Sequence, residues 1–194
     1  MNQTSYQTPQ DLHIHTIFSQ YDSAVVPEQT PELIARVSHA RVTGISDHFE
    51  HFIDRFDEYA STLKQYGFRI GTEVDGSDYV KEASQYPFDY YIYHCRNHKS
   101  EYKGIEHLLL TGKPVIVAHP MALETDLNKL PPACYVELNN RYIWKDDWRN
   151  KIGPFAHKFR FVIGSDAHQP SWLNQHVARY VARELKIKEH ILFD

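Results

Sequence analysis

Histidine supplies 13 of the 194 residues, and much of it stands where short apolar runs finish. The run Leu12–His15 carries Asp11, His13 and His15, which strand alternation sets on one face, with Leu12 and Ile14 on the other. Asp47-His48 follows the run 42–46, Glu73 lies near the end of 68–74, and His94 follows 88–93. His119 follows 114–118, and Gly164-Ser165-Asp166-Ala167-His168 follows the last run, 161–164. One histidine at a strand end is usually only hydrogen-bonded. Here six of seven runs end in His, Asp or Glu. Ionisable groups gathered at one buried end need partners or a metal. Imidazole and carboxylate without thiolate suit zinc, manganese or iron rather than a soft-metal or iron–sulfur site.

Such residues meet only if the elements carrying them converge. The apolar runs are short and nearly continuous, as in strands buried on both faces of a parallel sheet; the seventh is 134–138. Amphipathic stretches lie between them. Pro31 opens a helix to Ala40, with Thr30 as its cap. Asp54 to Gln65 reads as a helix stopped by Gly67, and Glu101 to Leu110 as one stopped by Gly112. Tyr142 to His157 reads as helical with a break at Gly153-Pro154. Ser171 to Leu185 carries Val177, Tyr180, Val181 and Leu185 at helical spacing. Seven strands alternating with helices predict a single α/β domain over 1–194, with residues 1–10 as a polar tail. In a closed β/α barrel the C-terminal strand ends share one mouth.

The motifs together resemble the polymerase-and-histidinol-phosphatase (PHP) family of metal-dependent phosphoesterases. They are Asp11-Leu12-His13-Ile14-His15-Thr16 with Phe18-Ser19 and Asp22, Gly44-Ile45-Ser46-Asp47-His48, Gly71-Thr72-Glu73, His94, Ala118-His119-Pro120, Val136-Glu137-Leu138-Asn139, and the Gly164–His168 segment. The resemblance implies a distorted (β/α)7 TIM-like barrel with three divalent metals at the C-terminal strand ends. The first metal would take His13, His15, Glu73 and Asp166. Glu73 would bridge to a second, with His94 and His119, and the third would take Asp22, His48 and His168. The family often has His where Asp22 stands. The resemblance also makes Glu73, Asp166 and His168 the residues closest to the chemistry, with Glu137 and Asn139 lining the site.

The implied reaction is hydrolysis of a small phosphomonoester, with a histidinol-phosphatase type as one candidate, by a metal-activated hydroxide. Arg96 and Arg141 are the candidates to fork onto phosphate, with His51, Arg55, His98, Lys99 and Trp144 behind them. Asp11 and Asp47 are candidates to fix imidazole tautomers. Histidines 39, 107, 157, 176 and 190 have no assigned role. Cys95 reads as a core residue facing away from the site. Alternatives are a phosphodiesterase or nuclease, an amidohydrolase (its bridging lysine is not evident), and a non-catalytic metal-binding regulatory domain.

Composition narrows the partners. Hydrophobic residues make up 42% and charged residues 24%, ordinary for a globular protein. The net charge of −4 disfavours long nucleic acid, though three divalent ions would bring it to about +2. Two cysteines give no disulfide framework, and the first ten residues lack a signal's apolar stretch, so a cytoplasmic setting is expected.

Overall fold

The computed structural model describes residues 7–194. Seven parallel strands, each hydrogen-bonded to the next in sequence order, form one sheet. They are β1 (Thr8–Asp11), β2 (Ala40–Ile45), β3 (Arg69–Asp75), β4 (Tyr90–His94), β5 (Val115–Val117), β6 (Tyr135–Asn139) and β7 (Arg160–Gly164). The sheet curls into a nearly closed barrel. A parallel bridge between Ile14 and Ala167 joins its ends. Beside the bridge, His15 N donates to Ala167 O (2.9 Å) and Asp166 N to His13 O (2.8 Å).

The helices alternate with the strands except between β5 and β6, where only a 3-10 turn (Leu127–Lys129) stands. They are α1 (Pro31–Val37), α2 (Phe49–Phe52), α3 (Phe56–Gln65), α4 (Val80–Ala83), α5 (Lys99–Leu109), α6 (Trp148–Lys151) and α7 (His176–Glu184). Thr30 caps α1 by accepting from Leu33 N at 3.2 Å. Gly67 and Gly112, both at φ +73°, stop α3 and α5 in the left-handed conformation that glycine adopts freely.

Strand alternation builds two apolar layers. Tyr91, Tyr93, Val136, Leu138, Phe161 and Ile163 face outward into the core beneath the helices. Leu12, Tyr90, Ile92, Ile116, Tyr135 and Val162 fill the barrel interior, with Leu192 and Phe193 packed against them. The Tyr90 ring lies across the interior where a Cβ on Gly44 or Gly71 would collide with it. Its buried hydroxyl donates to Leu12 O at 2.7 Å. Nearer the C-terminal strand ends the inward positions turn ionisable. Tyr135 is followed inward by Glu137 and Asn139, all buried. The lumen is thus apolar at one end and charged at the other.

Three expectations change. The first strand lies at Thr8–Asp11, not Leu12–His15, so residues read as tail enter the sheet. Its polar side chains have distant partners: Gln10 Nε2 donates to His190 O (2.7 Å), and Leu192 N donates to Gln10 Oε1 (2.9 Å). Residues 1–6 of that tail lie outside the described residues. The stretch 142–157 is not one helix but α6 between single 3-10 turns at Ile143–Lys145 and Gly153–Phe155. Asp147 starts α6 anew by accepting from Asn150 N (3.3 Å), and Pro154 cannot continue it. In α7 the buried face is Ala178, Val181 and Ala182, while Val177 and Tyr180 are exposed. Small residues let that helix sit close to the sheet. Among the described residues no helix is long and apolar enough to cross a membrane.

Candidate metal centre

The mouth of the barrel gathers every predicted ligand. Glu73, from β3, is the hub. Its Oε1 lies 3.3 Å from His13 Nε2 and 3.8 Å from His119 Nε2, and abuts His94 Nε2. Its Oε2 lies 3.2 Å from His15 Nε2 and 3.4 Å from His48 Nδ1. Asp166 Oδ1 stands 3.7 Å from His13 Nε2 and 3.8 Å from His15 Nε2. Asp22 reaches His168 Nε2 at 2.8 Å and His48 Nε2 at 3.5 Å, so the first loop brings Asp22 to the position expected of it. Three groups each hold donor atoms within 4.8 Å of one another: His13 with His15 and Glu73, Glu73 with His94 and His119, and His15 with His48 and His168.

The backbone bends sharply to aim two of these side chains. His119 sits at φ 22° and Asp166 at φ 55°, in the left-handed region. Such a conformation costs on the order of 1 kcal/mol or more for a non-glycine residue. The surrounding bonds hold both residues there: His119 N donates to Glu137 Oε2 (2.8 Å), and Asn139 Nδ2 donates to Asp166 Oδ2 (3.1 Å).

Four imidazoles are fixed through Nδ1, leaving Nε2 for the site. His13 Nδ1 donates to Glu137 Oε1 at 2.8 Å. His94 Nδ1 faces Asp75 Oδ1 at 3.3 Å, and His168 Nδ1 bonds Asp166 O at 2.9 Å. His15 Nδ1 bonds Ser19 Oγ at 3.2 Å, and that hydroxyl donates to Asp47 Oδ1 at 2.6 Å. The expected roles of Asp11 and Asp47 are therefore corrected. Asp47 reaches an imidazole only through Ser19. It spends its oxygens on Thr16 N (2.6 Å), Thr16 Oγ1 (2.7 Å) and Ser19, and so shapes the ligand-bearing loop. Asp11 accepts from the backbone of His13 (3.3 Å) and Ser165 (3.1 Å) across the barrel seam. His39, read as roleless, places its Nε2 3.0 Å from the other Asp11 oxygen. Glu137 and Asp75, which take the tautomer-fixing role, are 124 and 19 positions from their imidazoles, beyond any local spacing signal.

The electrostatics are those of a site short of positive charge. Burial opposes a charged His13, yet Glu137, Asp166 and Glu73 outweigh it and hold its pKa well above the usual value. The same contest, with Glu73 and Asp75 as the attracting charges, lifts His94 to about 10. His48 is also raised against its burial, by Glu73 and Asp22. Burial and the neighbouring His94 push His119 down to about 3. Glu73 stays well below the normal carboxylate range despite burial, because His94, His13 and His48 surround it. Burial, with help from the Glu73 and Glu137 charges, outweighs His13 and His168 and raises Asp166.

The residues fit a divalent cation. The pair His13–His15 has its Nε2 atoms 3.2 Å apart, and His94–His119 3.0 Å. Two nitrogens each about 2.1 Å from one ion stand roughly 3.0–3.4 Å apart. Glu73 Oε1 and His119 Nδ1 are buried without a hydrogen-bond partner among the described residues. A buried carboxylate oxygen facing three imidazole nitrogens is poorly served by protons and well served by a cation. Glu137→Gln would keep the shape and remove the charge behind His13. Its expected effect is a 10- to 100-fold loss of metal affinity with the fold intact, read by calorimetric titration of the metal-free protein; unchanged affinity would remove Glu137 from this role.

A cavity of about 350 Å³ opens over these ligands, lined also by Arg96, Arg141, Leu123 and Tyr142. Both predicted arginines are therefore at the mouth. Arg96 is held by Asp75 Oδ1 at 2.6 Å, and Arg141 Nη1 lies 3.5 Å from Asp166 Oδ1. His51 lies beside His48 with ring centroids 5.0 Å apart and planes tilted by 51°, whereas Arg55 lies over the Phe18 ring and Trp144 faces a separate cavity. Cys95 is buried in the outer core as expected. No protein-family model matches the chain, and no curated protein matches it.

Proposed function

We propose that this protein is a metal-dependent phosphoesterase of the PHP type, acting on a small phosphomonoester. The observation that carries the reading is the sharing of Glu73 among His13, His15, His48, His94 and His119 beneath a cavity that also holds two arginines. Divalent ions bound there would acidify a water and neutralise phosphoryl oxygens, the two obstacles to phosphate-ester hydrolysis. The chain's own residues do the rest. Arg141, braced by Asn139 Oδ1 at its backbone N (2.9 Å), presents a guanidinium beside Asp166 and His168. Arg96 adds a second guanidinium to the lining, with its position set by Asp75. The apolar interior closes the site from below and keeps bulk water on the mouth side. A cavity of about 350 Å³ suits a small ligand, not a polymer track.

The test loads the purified protein with zinc, manganese or iron and offers phosphomonoesters (histidinol phosphate among them), phosphodiesters and amides. Metal-dependent turnover of monoesters, abolished by a chelator, is the expected result. Preferential cleavage of diesters moves the assignment to a phosphodiesterase. Binding of metal without turnover of any ester leaves a metal-binding regulatory domain, and turnover that survives chelation ends the reading.

A further inference from the structure

Arg141 and Trp172 stand beyond neighbouring strand ends. Arg141 follows β6, and Trp172 lies in the 3-10 turn Pro170–Trp172 that comes after β7. The two strands pair in parallel up to Asn139 and Gly164, so the loops that follow leave the sheet side by side. Asn140 ties these loops together. Its Nδ2 donates to Asn174 Oδ1 (3.2 Å), and its Oδ1 accepts from Val177 N (2.9 Å) and Ala178 N (3.2 Å). Asn139 Oδ1 accepts from the backbone N of Arg141 (2.9 Å) and of Tyr142 (3.1 Å), which fixes the root of the arginine side chain.

The far end of that side chain lies against aromatic rings. The Arg141 guanidinium carbon is 4.9 Å from the Trp172 ring centroid and 5.1 Å from that of Tyr142. Its Nη1 is 3.5 Å from Asp166 Oδ1 and 3.3 Å from both ring nitrogens of His168. These polar partners are the ones it stands to lose. Asp166 and His168 are candidate metal ligands, and once they hold an ion Arg141 faces a like charge in place of lone pairs. The attraction of an indole face for a guanidinium depends on neither ligand. The Arg141 side chain is 26% exposed, so water screens that attraction only in part. Trp172 is itself firmly placed. It packs, partly buried, against the outer core, and its N donates to Gln169 O at 2.9 Å.

We infer that Trp172 is a positioning residue, whose ring keeps Arg141 over the mouth when Asp166 and His168 are occupied, with the guanidinium aimed at a phosphoryl group. The inference rests on the phosphoesterase reading above and adds to it a residue that acts only through Arg141.

Trp172→Leu removes the ring face and keeps an apolar side chain against the core. Trp172→Met is a second ring-free variant of closer volume, and Trp172→Phe restores a ring. The manganese-loaded proteins are titrated with inorganic phosphate by calorimetry and assayed on phenyl phosphate. In Trp172→Leu and Trp172→Met the phosphate Kd and the KM are expected to rise about fivefold, with kcat little changed, and Trp172→Phe to recover most of the loss. Bound manganese, measured by elemental analysis, should stay constant; this controls for His168, whose ring centroid is 6.0 Å from that of Trp172. A merely structural role would weaken phosphate binding with or without the arginine. In Arg141→Ala, therefore, Trp172→Leu is expected to change the phosphate Kd no further. An additive loss there, or an unchanged Kd in the ring-free variants, overturns the positioning role. Coupled phosphate binding with no turnover of any ester overturns only the phosphoesterase reading, and turnover without the coupling overturns only the role of Trp172. A loaded protein with no affinity for phosphate overturns both.

Discussion

Glu73→Ala is expected to strip the protein of metal and to lower turnover by at least about 100-fold, the upper end of what loss of a merely supporting residue costs. Its carboxylate is the counter-charge for five imidazoles, with contacts of 3.2–3.8 Å to His13, His15, His48 and His119 and a closer one to His94. No neighbour can substitute. Asp166 reaches His13 and His15 but makes no comparable approach to His94, and Asp22 serves only His48 and His168. Removing Glu73 also removes one of the attractions that raise His13, His48 and His94 in the metal-free protein. Metal content by elemental analysis and turnover should fall together. Glu73→Gln separates charge from shape: if the amide restores metal content, the hub acts through geometry alone. Retained metal and activity in Glu73→Ala would dismantle the shared-carboxylate site.

The second large effect is on pH. A metal ligand must present a neutral imidazole, but three of the six candidate ligand histidines, His13, His48 and His94, are raised above their ordinary pKa in the metal-free protein. At neutral pH a cation therefore displaces protons. The sign follows directly: affinity is lowest at acid pH and climbs as pH rises, still climbing through about 10, where His94 loses its proton. Each displaced proton makes the affinity change about tenfold per pH unit. Calorimetric titration at pH 7 in buffers of different ionisation enthalpy should register up to three protons released, one for each raised imidazole. A buffer-independent heat would mean that the ligands are already neutral. His15 and His119, both held low by burial and by neighbouring imidazoles, contribute none of this release.

The clustering of these side chains was legible in the sequence because parallel strands end together, so His48, Glu73, His94 and His119 need no long-range information to be gathered at one mouth. The first strand was not, because its inward residues are polar. Thr8 and Gln10 look like tail until their partners His39 and His190 arrive from distant segments. Spacing also cannot say which carboxylates support the ligands. Asp11 and Asp47 stand beside histidines in sequence but bond backbone and hydroxyls, while Glu137 crosses the lumen to His13. Nor can it show that Arg96 is tied to Asp75, or that Arg141 faces two cavities at once.

The barrel's ends meet at one isolated bridge, Ile14 to Ala167, flanked by His13 and His15 on one side and Asp166 and His168 on the other. Ser165 and Asp11, bonded across that line, are 154 positions apart. Joining them costs more chain entropy than any pairing between neighbouring strands, and few hydrogen bonds offset it. A cation taken by His13, His15 and Asp166 would work as a clasp, tying first strand to last. Chemistry and closure would then be one property. Any ligand substitution that dims turnover would also unlatch the cylinder, and the metal would be as much its last stave as its reagent.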